Sequence, residues 1–321
     1  MNVKYPSIVA NTMYKTGSAW LVFVLYMVIF LLATDLVRLF VPACRDFLGR
    51  YGFLCALACT LGVLAYGYHT YLHPQINRFR IDFNINPTDS LNKPSGYTEK
   101  LKIVAVSDIH AGYRTGKKQL AKYVDMINRE NADVIFIVGD LIDNSLQPLY
   151  DKKMYEELAQ LQAREGIYMV LGNHEYISGV DEVIKFLKYT NIQLLRDTFV
   201  TLPCGLQIIG RDDRSNKERK SVEELIEQAQ ATTADAVLLD HQPYAIAQKD
   251  SLGIALQLSG HTHYGQVWPM NVLTNRIYEQ SHGYRKWKNS HVYVSSGLAL
   301  WGPPFRIGTK SDMAVIELSL K

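Results

Sequence analysis

The sequence predicts an α/β protein whose folded domain is carried on an N-terminal transmembrane helical hairpin. Three observations predict it: two long apolar runs ahead of His73, an alternation of apolar strands with amphipathic helices from Lys102 to Tyr189, and polar clusters at the ends of those strands. The chain has 321 residues, with 34 Lys and Arg against 31 Asp and Glu and a formal net charge of +3. Residues 1–73 hold five basic and two acidic side chains, so from residue 74 onward the two signs balance at 29 each. The folded part has no basic excess, which argues against a nucleic-acid partner.

The first apolar run, Ser18 to Thr34, carries no charged side chain. As a helix it would reach about 25 Å, short of the roughly 30 Å of a bilayer core. Continuing through Asp35 and Arg38 to Val41 completes the crossing, with that pair at the far interface. The second run, Tyr51 to Leu72, is longer and free of Lys, Arg, Asp and Glu throughout. Trp20 opens the first run and Tyr66, Tyr68 and Tyr71 close the second, the places where aromatic anchors meet headgroups. A cleaved signal peptide is the competing interpretation, but no small-residue cleavage pattern follows the first run and another apolar run begins soon after it, at Tyr51. The bilayer contact is therefore assigned to residues 18–41 and 51–72, with Pro42 to Arg50 as the connection.

That topology puts the N-terminus and everything after residue 73 on one side. Arg38, Arg45 and Arg50 lie in or beside the connection, against Lys4, Lys15, the α-amino group, Arg78 and Arg80 outside it, so the count leans toward a cytoplasmic domain. Cys44, Cys55, Cys59 and Cys204 are too few and too clustered for a disulfide scaffold. Their usage fits a cytoplasmic domain, although a periplasmic one without disulfides looks the same. The first run begins as early as Ser18, which leaves room for a longer natural N-terminus.

Three regions follow: a membrane anchor over 1–73, a linker and first strand over 74–100, and the main domain over 101–321. In the second, Phe79, Ile81, Phe83 and Ile85 alternate along Arg78 to Ile85 and share one strand face. Beyond it the pattern predicts strand Lys102–Val106, helix Lys117–Asn131, strand Val134–Val138, helix Lys152–Arg164, strand Ile167–Leu171 and helix Gly179–Tyr189, a series of βαβ units. After residue 192 the strands shorten to Phe199–Leu202 and Leu206–Gly210. Helix Val222–Gln230 comes next, followed by strands near 236–239, 254–258, 291–295 and 313–318, which read as a second, mixed sheet.

The strand ends carry the chemistry. Asp108 and His110 follow the first, Gly139, Asp140 and Asp143 the second, and Gly172, Asn173, His174 and Glu175 the third. Asp240 and His241 come after the strand near 236–239, and Gly260, His261 and His263 after that near 254–258. Ligands collect at this edge of a parallel sheet. Any one strand-end Asp is an ordinary turn former and any one His an ordinary hydrogen-bonding residue. Together, carboxylate, imidazole and carboxamide donors without a thiolate suit borderline or harder divalent ions such as Mn, Fe or Zn.

The set resembles the calcineurin-like metallophosphoesterase superfamily, whose five blocks are D-x-H, G-D-x-x-D, G-N-H-[DE], H and G-H-x-H. Here they read Asp108-Ile109-His110, Gly139-Asp140-Leu141-Ile142-Asp143, Gly172-Asn173-His174-Glu175, His241 and Gly260-His261-Thr262-His263, in family order over about residues 100–318. SDIH, GNHE and GHTHYGQ look like the branch of membrane-associated bacterial phosphoesterases, some of which act on lipid-linked sugar nucleotides. The resemblance implies a four-layer αββα sandwich and two divalent metal ions, Mn favoured over Fe, Zn or Co. One ion would be held by Asp108, His110, Asp140 and His263, the other by Asp140, Asn173, His241 and His261. It further implies that His174 serves the leaving group, that Asp143 orients it, and that Glu175 gives support. The implied activity is hydrolysis of a phosphodiester or diphosphate bond, with a lipid-linked or membrane-presented substrate in a bacterial inner membrane. A soluble nucleotide, a phosphoprotein and a non-enzymatic scaffold are the competing expectations.

Arg211 and Arg214, with Lys217, Arg219 and Lys220, either grip an anionic substrate or form a solvated charged loop. Trp268, Trp287, Trp301, Tyr264, Tyr284 and Pro303 make the C-terminal third aromatic-rich, which fits a packed core or an apolar groove. His282 and His291 belong to no block and are expected in core or surface roles.

Overall fold

The structure is a computed structural model, and it describes residues 7–83, 100–230 and 236–320. Its strands are β1 Gln75–Phe83, β2 Lys100–Val106, β3 Val134–Val138, β4 Ile167–Val170, β5 Ile192–Leu194, β6 Thr198–Thr201, β7 Gln207–Gly210, β8 Ala236–Leu239, β9 Leu256–Ser259, β10 Gly283–Lys286, β11 His291–Val294 and β12 Asp312–Leu320. Helices α1 Ser7–Phe40 and α2 Arg45–Leu72 precede them. Between strands lie α3 Lys117–Asn128, α4 Gln147–Asp151, α5 Tyr155–Leu158, α6 Asn173–Ser178, α7 Val180–Leu187, α8 Val222–Ala229, α9 Ile246–Ser251 and α10 Met270–Ile277.

One six-stranded sheet has the order β1-β12-β2-β3-β4-β5 and the other β10-β11-β9-β8-β7-β6. β2, β3, β4 and β5 run parallel, as do β7, β8, β9 and β11, so each sheet has a parallel centre whose strand ends form one edge. Both faces of the sheets are covered. Ile103, Phe136, Val170 and Ile316 meet Ile208, Leu239, Leu258 and Tyr293 between the sheets. Val104, Ile135, Ile137 and Met169 face the outer helices, where Leu120 and Ile127 of α3, Leu149 of α4, Leu158 of α5 and Phe186 of α7 pack. Leu225 of α8 covers the other sheet against Ile209 and Leu238, and Ile246 of α9 covers it against Val292 and Val294. The result is the αββα sandwich.

Most strands lie where the apolar runs place them. Of the helix expected over Lys152–Arg164 only Tyr155–Leu158 forms, as α5, and a separate short helix, α4, ends just before it at Asp151. Lys153 adopts a left-handed φ of 48° and breaks the helical path, while Met154, Leu158 and Leu161 are still buried by the turns around α5. In β1, Ile81 and Phe83 are buried and Phe79 packs beside them. Ile85 and the linker residues 84–99 lie outside the described residues.

The two N-terminal helices are long and apolar enough to cross a membrane, and they form a hairpin with a short turn at Pro42–Cys44. Arg45 to Arg50, expected in the connection, form the first turns of α2. Asp35 and Arg38 pair at 3.2 Å near the tip. Gly52, Ala56 and Thr60 are buried in α2, the small residues that let two helices approach.

The other end of the hairpin is fastened to the domain. Val22 and Tyr26 of α1 pack with Val267, Phe305 and Ile307, joined by Ile29, Val63 and Met270. Tyr26 Oη donates to the Trp268 carbonyl at 2.6 Å, and the Arg306 backbone N–H donates to the Gly67 carbonyl at 2.9 Å. Arg114 donates to Ser18 Oγ at 2.8 Å. Gly67 is required here, because a Cβ would stand 2.5 Å from Ile307 Cγ1.

Candidate metal centre

The parallel edges of both sheets deliver their loops to one place. β2 ends at Asp108 and His110, β3 at Asp140 and Asp143, β4 at Asn173 to Glu175, β8 at His241 and β9 at His261 and His263. Asp108, His110, Asp140, His261 and His263 all adopt φ between 45° and 70°, a conformation costly for side-chain-bearing residues. Strain of this kind turns each side chain back over the sheet edge. Gly172 is needed for close approach, since a Cβ there would collide with the Asp140 carboxylate and come within 2.8 Å of His241 Nε2.

Three donor groups result: Asp108, His110 and His263 form one and Asp140, His241 and His261 another, while His110 with Asp143 and His174 makes a third that overlaps the first. His263 Nε2 lies 3.4 Å from Asp108 Oδ1, and His241 Nε2 3.2 Å from Asp140 Oδ2. Asp140 Oδ2 is also 3.9 Å from His110 Nε2, which places this carboxylate between the first two groups. Asn173 Oδ1 joins the second group through His261 Nδ1 at 2.8 Å. Every metal-binding candidate from the sequence therefore converges here.

The arrangement fits cations. His110 Nε2 and His263 Nε2 point at each other 3.1 Å apart, and two lone pairs can do so only with a proton or a cation between them. His241 Nε2 is buried without a hydrogen-bond partner, and its Nδ1 is held by the Val138 carbonyl at 2.7 Å, which fixes the ring. Burial lowers His110 to about 3, and burial with Arg306 holds His263 well below the usual imidazole range. Burial with the neighbouring His241 lowers His261 as well. Neutral rings are the form that ligates. For His241 burial opposes the charge, but the Asp140 carboxylate outweighs it and raises the ring well above its usual value.

Supporting contacts come from groups of two kinds. Glu175, fully buried, accepts from Gly172 N at 2.7 Å, Asp140 N at 2.9 Å and Ile142 N at 3.0 Å, locking the β3 loop to the β4 loop. Burial and the adjacent Asp140 push its carboxyl up to about 8. Asp143 approaches His174 chiefly through its backbone: His174 Nδ1 donates to the Asp143 carbonyl at 2.8 Å, while the carboxylate is 3.6 Å from Nδ1.

Arg306 carries no sequence signal, since a lone arginine in a loop reads as surface. It is fully buried, and its guanidinium donates to the His263 carbonyl at 2.5 Å, to Gly297 at 3.2 Å and to Ala299 at 3.3 Å, with Ser296 also accepting. Its backbone bonds Gly67 of α2, so one residue links the hairpin to a donor loop.

The rim is aromatic. Trp301 is 51% exposed and its ring lies 6.4 Å from His174. On the far side Tyr278 meets His261 edge-on at 6.3 Å, Tyr244 Oη lies 3.3 Å from Tyr278 Oη, and the Arg214 guanidinium sits 4.0 Å above the Tyr244 ring. Arg211 points inward instead, donating to the Lys220 carbonyl and pairing with buried Asp240 at 3.2 Å. His282 stacks on Tyr264 and His291 bonds Tyr284, both outside the donor groups.

Fold and donor set together define a metallophosphoesterase. The profile of the calcineurin-like phosphoesterase family matches residues 101–265. An uncharacterised metallophosphoesterase of Helicobacter pylori is 32% identical over 225 residues, covering 68% of this chain and 60% of its own length. A Danio rerio transmembrane protein with a metallophosphoesterase domain is 32% identical over 234 residues, 68% of this chain and 53% of its own. The chain thus spans somewhat over half the length of these relatives. Among solved structures, a Thermus thermophilus 5'-nucleotidase precursor is similar with a TM-score of 0.42 and 15% identity, over 69% of this chain and 54% of that one. The chain belongs to the calcineurin-like metallophosphoesterase family.

Proposed function

We propose that this protein is a membrane-anchored, metal-dependent phosphoesterase that cleaves a phosphodiester or diphosphate bond of a lipid-linked or membrane-presented substrate, such as a diacylated sugar nucleotide. Asp108, His110, Asp140 and His263 would hold one divalent ion and Asp140, Asn173, His241 and His261 the other, with Mn favoured among the Mn, Fe, Zn or Co that a thiolate-free set of nitrogen and oxygen donors accepts. Such a pair, when bound, supplies a Lewis acid for the phosphoryl oxygen and a water of lowered pKa. The chain's own residues do the rest. His174, its Nδ1 committed to the Asp143 carbonyl, has Nε2 left to move a proton at the leaving oxygen. Glu175 keeps two donor loops in register. Arg214, stacked on Tyr244 next to Tyr278, offers a cation to the substrate's anionic end.

The observation that carries the lipid assignment is the fastening of the hairpin to segments that form the rim, through Tyr26–Trp268 and Gly67–Arg306, the latter a short loop beyond Trp301. An anchor that merely localised the domain would need no such contact. The charge count around the hairpin supports a domain on the cytoplasmic face of a bacterial inner membrane. Phosphorus NMR of a bacterial lipid extract, supplemented with lipid-linked sugar nucleotides and Mn and incubated with full-length protein or Asp140→Ala, tests the proposal. Loss of a phosphodiester or diphosphate signal with the wild type alone supports it. An unchanged spectrum from protein that still cleaves bis(p-nitrophenyl) phosphate favours a soluble nucleotide, for which Tyr244 and Tyr278 offer stacking surfaces.

A further inference from the structure

α10 is built the wrong way round for a helix on a water-soluble surface. Its sequence, MNVLTNRI, puts Val272, Leu273 and Ile277 with Arg276 on one side and Asn271 and Asn275 on the other. Asn271 turns toward the domain, its Oδ1 buried, and Asn275, itself exposed, accepts from Ser281 Oγ. The apolar side faces out, with Leu273 48% and Ile277 63% exposed. Trp268, just before the helix, and Trp301, beside His174 and next to Gly302 at Ser18 of α1, are also exposed.

What covers this surface follows from its continuity with the hairpin. Met270, the first residue of α10, packs in the cluster with Val22, Tyr26 and Ile29 of α1 and with Val63 of α2. That contact lies deep in the apolar runs. Below it, Tyr51 to Val63 of α2 spans only roughly 20 Å, and Tyr26 to Phe40 of α1 about the same, both short of the roughly 30 Å hydrocarbon core. To span, the hairpin must draw the bilayer up to the level of Tyr26 and Val63, and Trp268 and Met270 are at that level.

We propose that α10, with Trp268 and Trp301, is a third membrane contact: an interfacial helix that lies in the leaflet the hairpin enters and holds the mouth of the metal centre at headgroup level. The inference rests on the membrane-anchored reading of the hairpin and adds a surface the apolar runs do not include. Amphipathic helices of this type bury their apolar side at the headgroup–acyl boundary, with Trp favoured there and Arg able to reach outward. α10 runs from Met270 at the hairpin to Ile277, next to Tyr278 and its contact with His261. It therefore bridges the anchor and the rim, and a lipid headgroup reaches the donors without leaving the membrane plane.

The test uses full-length protein with Cys44, Cys55, Cys59 and Cys204 replaced by serine, in vesicles of phosphatidylethanolamine and phosphatidylglycerol. Single cysteines at Leu273, Ile277, Val28 and Lys188 carry an environment-sensitive fluorophore, and diester hydrolysis verifies that each variant is folded. Fluorophores at 273 and 277 should be blue-shifted, quenched by lipids spin-labelled near the headgroup and shielded from iodide, whereas that at 188 should be open to iodide. If 273 and 277 behave like 188 while 28 is quenched, the hairpin is embedded and α10 is not, which overturns this inference alone. If 28 is also unquenched, the membrane-anchored reading falls and takes this inference with it.

Discussion

The donor loops and the rim are secured by contrasting interactions. At the donors, polar atoms meet several partners each: Asp108 accepts from His261 N through both oxygens and from Ser107, and Glu175 takes three backbone N–H groups. Residues 264–309 have internal bonds of their own, Gln266 Nε2 to the Pro303 carbonyl and Thr309 Oγ1 to the Gln266 carbonyl among them, but Tyr26, Gly67 and Ile307 add long-range contacts that set the segment against the hairpin. Buried polar networks fix geometry without outside help, whereas a rim held through a membrane element takes its position from that element. Chemistry and access are thereby assigned to different parts of the chain.

Substitutions can break that division. Asp140→Ala removes the carboxylate between the two proposed metal sites and should abolish hydrolysis of bis(p-nitrophenyl) phosphate to the detection limit, with the fold retained by circular dichroism. Glu175→Ala leaves three buried N–H groups unpaired. Turnover and metal retention, the latter read by elemental analysis after gel filtration, should fall by about 10- to 100-fold, and the domain should lose a few kcal/mol in urea unfolding (about 1–3 per unpaired group). An effect on stability without loss of metal would show that the clamp is purely structural.

Gly67→Ala addresses the other side. Overpacking against Ile307 should cost about 1–3 kcal/mol and slow hydrolysis of a vesicle-borne substrate more than that of the soluble diester. Equal slowing of both would show that the hairpin contact reaches the donors, through Arg306. The smallest effect is expected at Asp212, whose side chain bonds Tyr176, Arg196 and Asn216 and neither a donor residue nor the hairpin. Burial opposes its ionisation, but Arg196 at 2.7 Å, Tyr176 and Asn216 outweigh it and lower its carboxyl from the ordinary 3.8. A depressed carboxyl contributes stability that is present above the unfolded value and lost as pH falls through the folded one. Asp212→Asn should therefore reduce stability at neutral pH and flatten its fall below about pH 4, as followed by acid titration of tryptophan fluorescence.

The donor loops were legible because strand periodicity and strand-end polar residues are local features. β2, β3 and β4 are apolar runs, and their ends carry Asp108, Asp140 and Asn173 within two or three residues. α4 and α5 were not, because Met154, Leu158 and Leu161 repeat at helical spacing whether a continuous helix or two turns bury them. α10 escaped for another reason. Its apolar residues face outward, so periodicity alone leaves open which side is covered, and only the position of Met270 against α1 decides it. Arg306 is invisible to any local pattern, since its partners Gly67 and His263 lie far from it along the chain.

Only His73 and Pro74 separate α2 from β1, and β1 pairs in parallel with the last strand, β12, over nine register positions. During synthesis, then, the hairpin emerges ahead of β1, which is tethered beside it with its hydrogen-bonding edge open until β12 leaves the ribosome. A chain truncated before residue 312 would carry an anchored but unpaired strand, an exposed edge of the kind that seeks other chains. The hairpin and β1 are thus made well before the strand that pairs with β1, and the sheet closes only once β12 has been made.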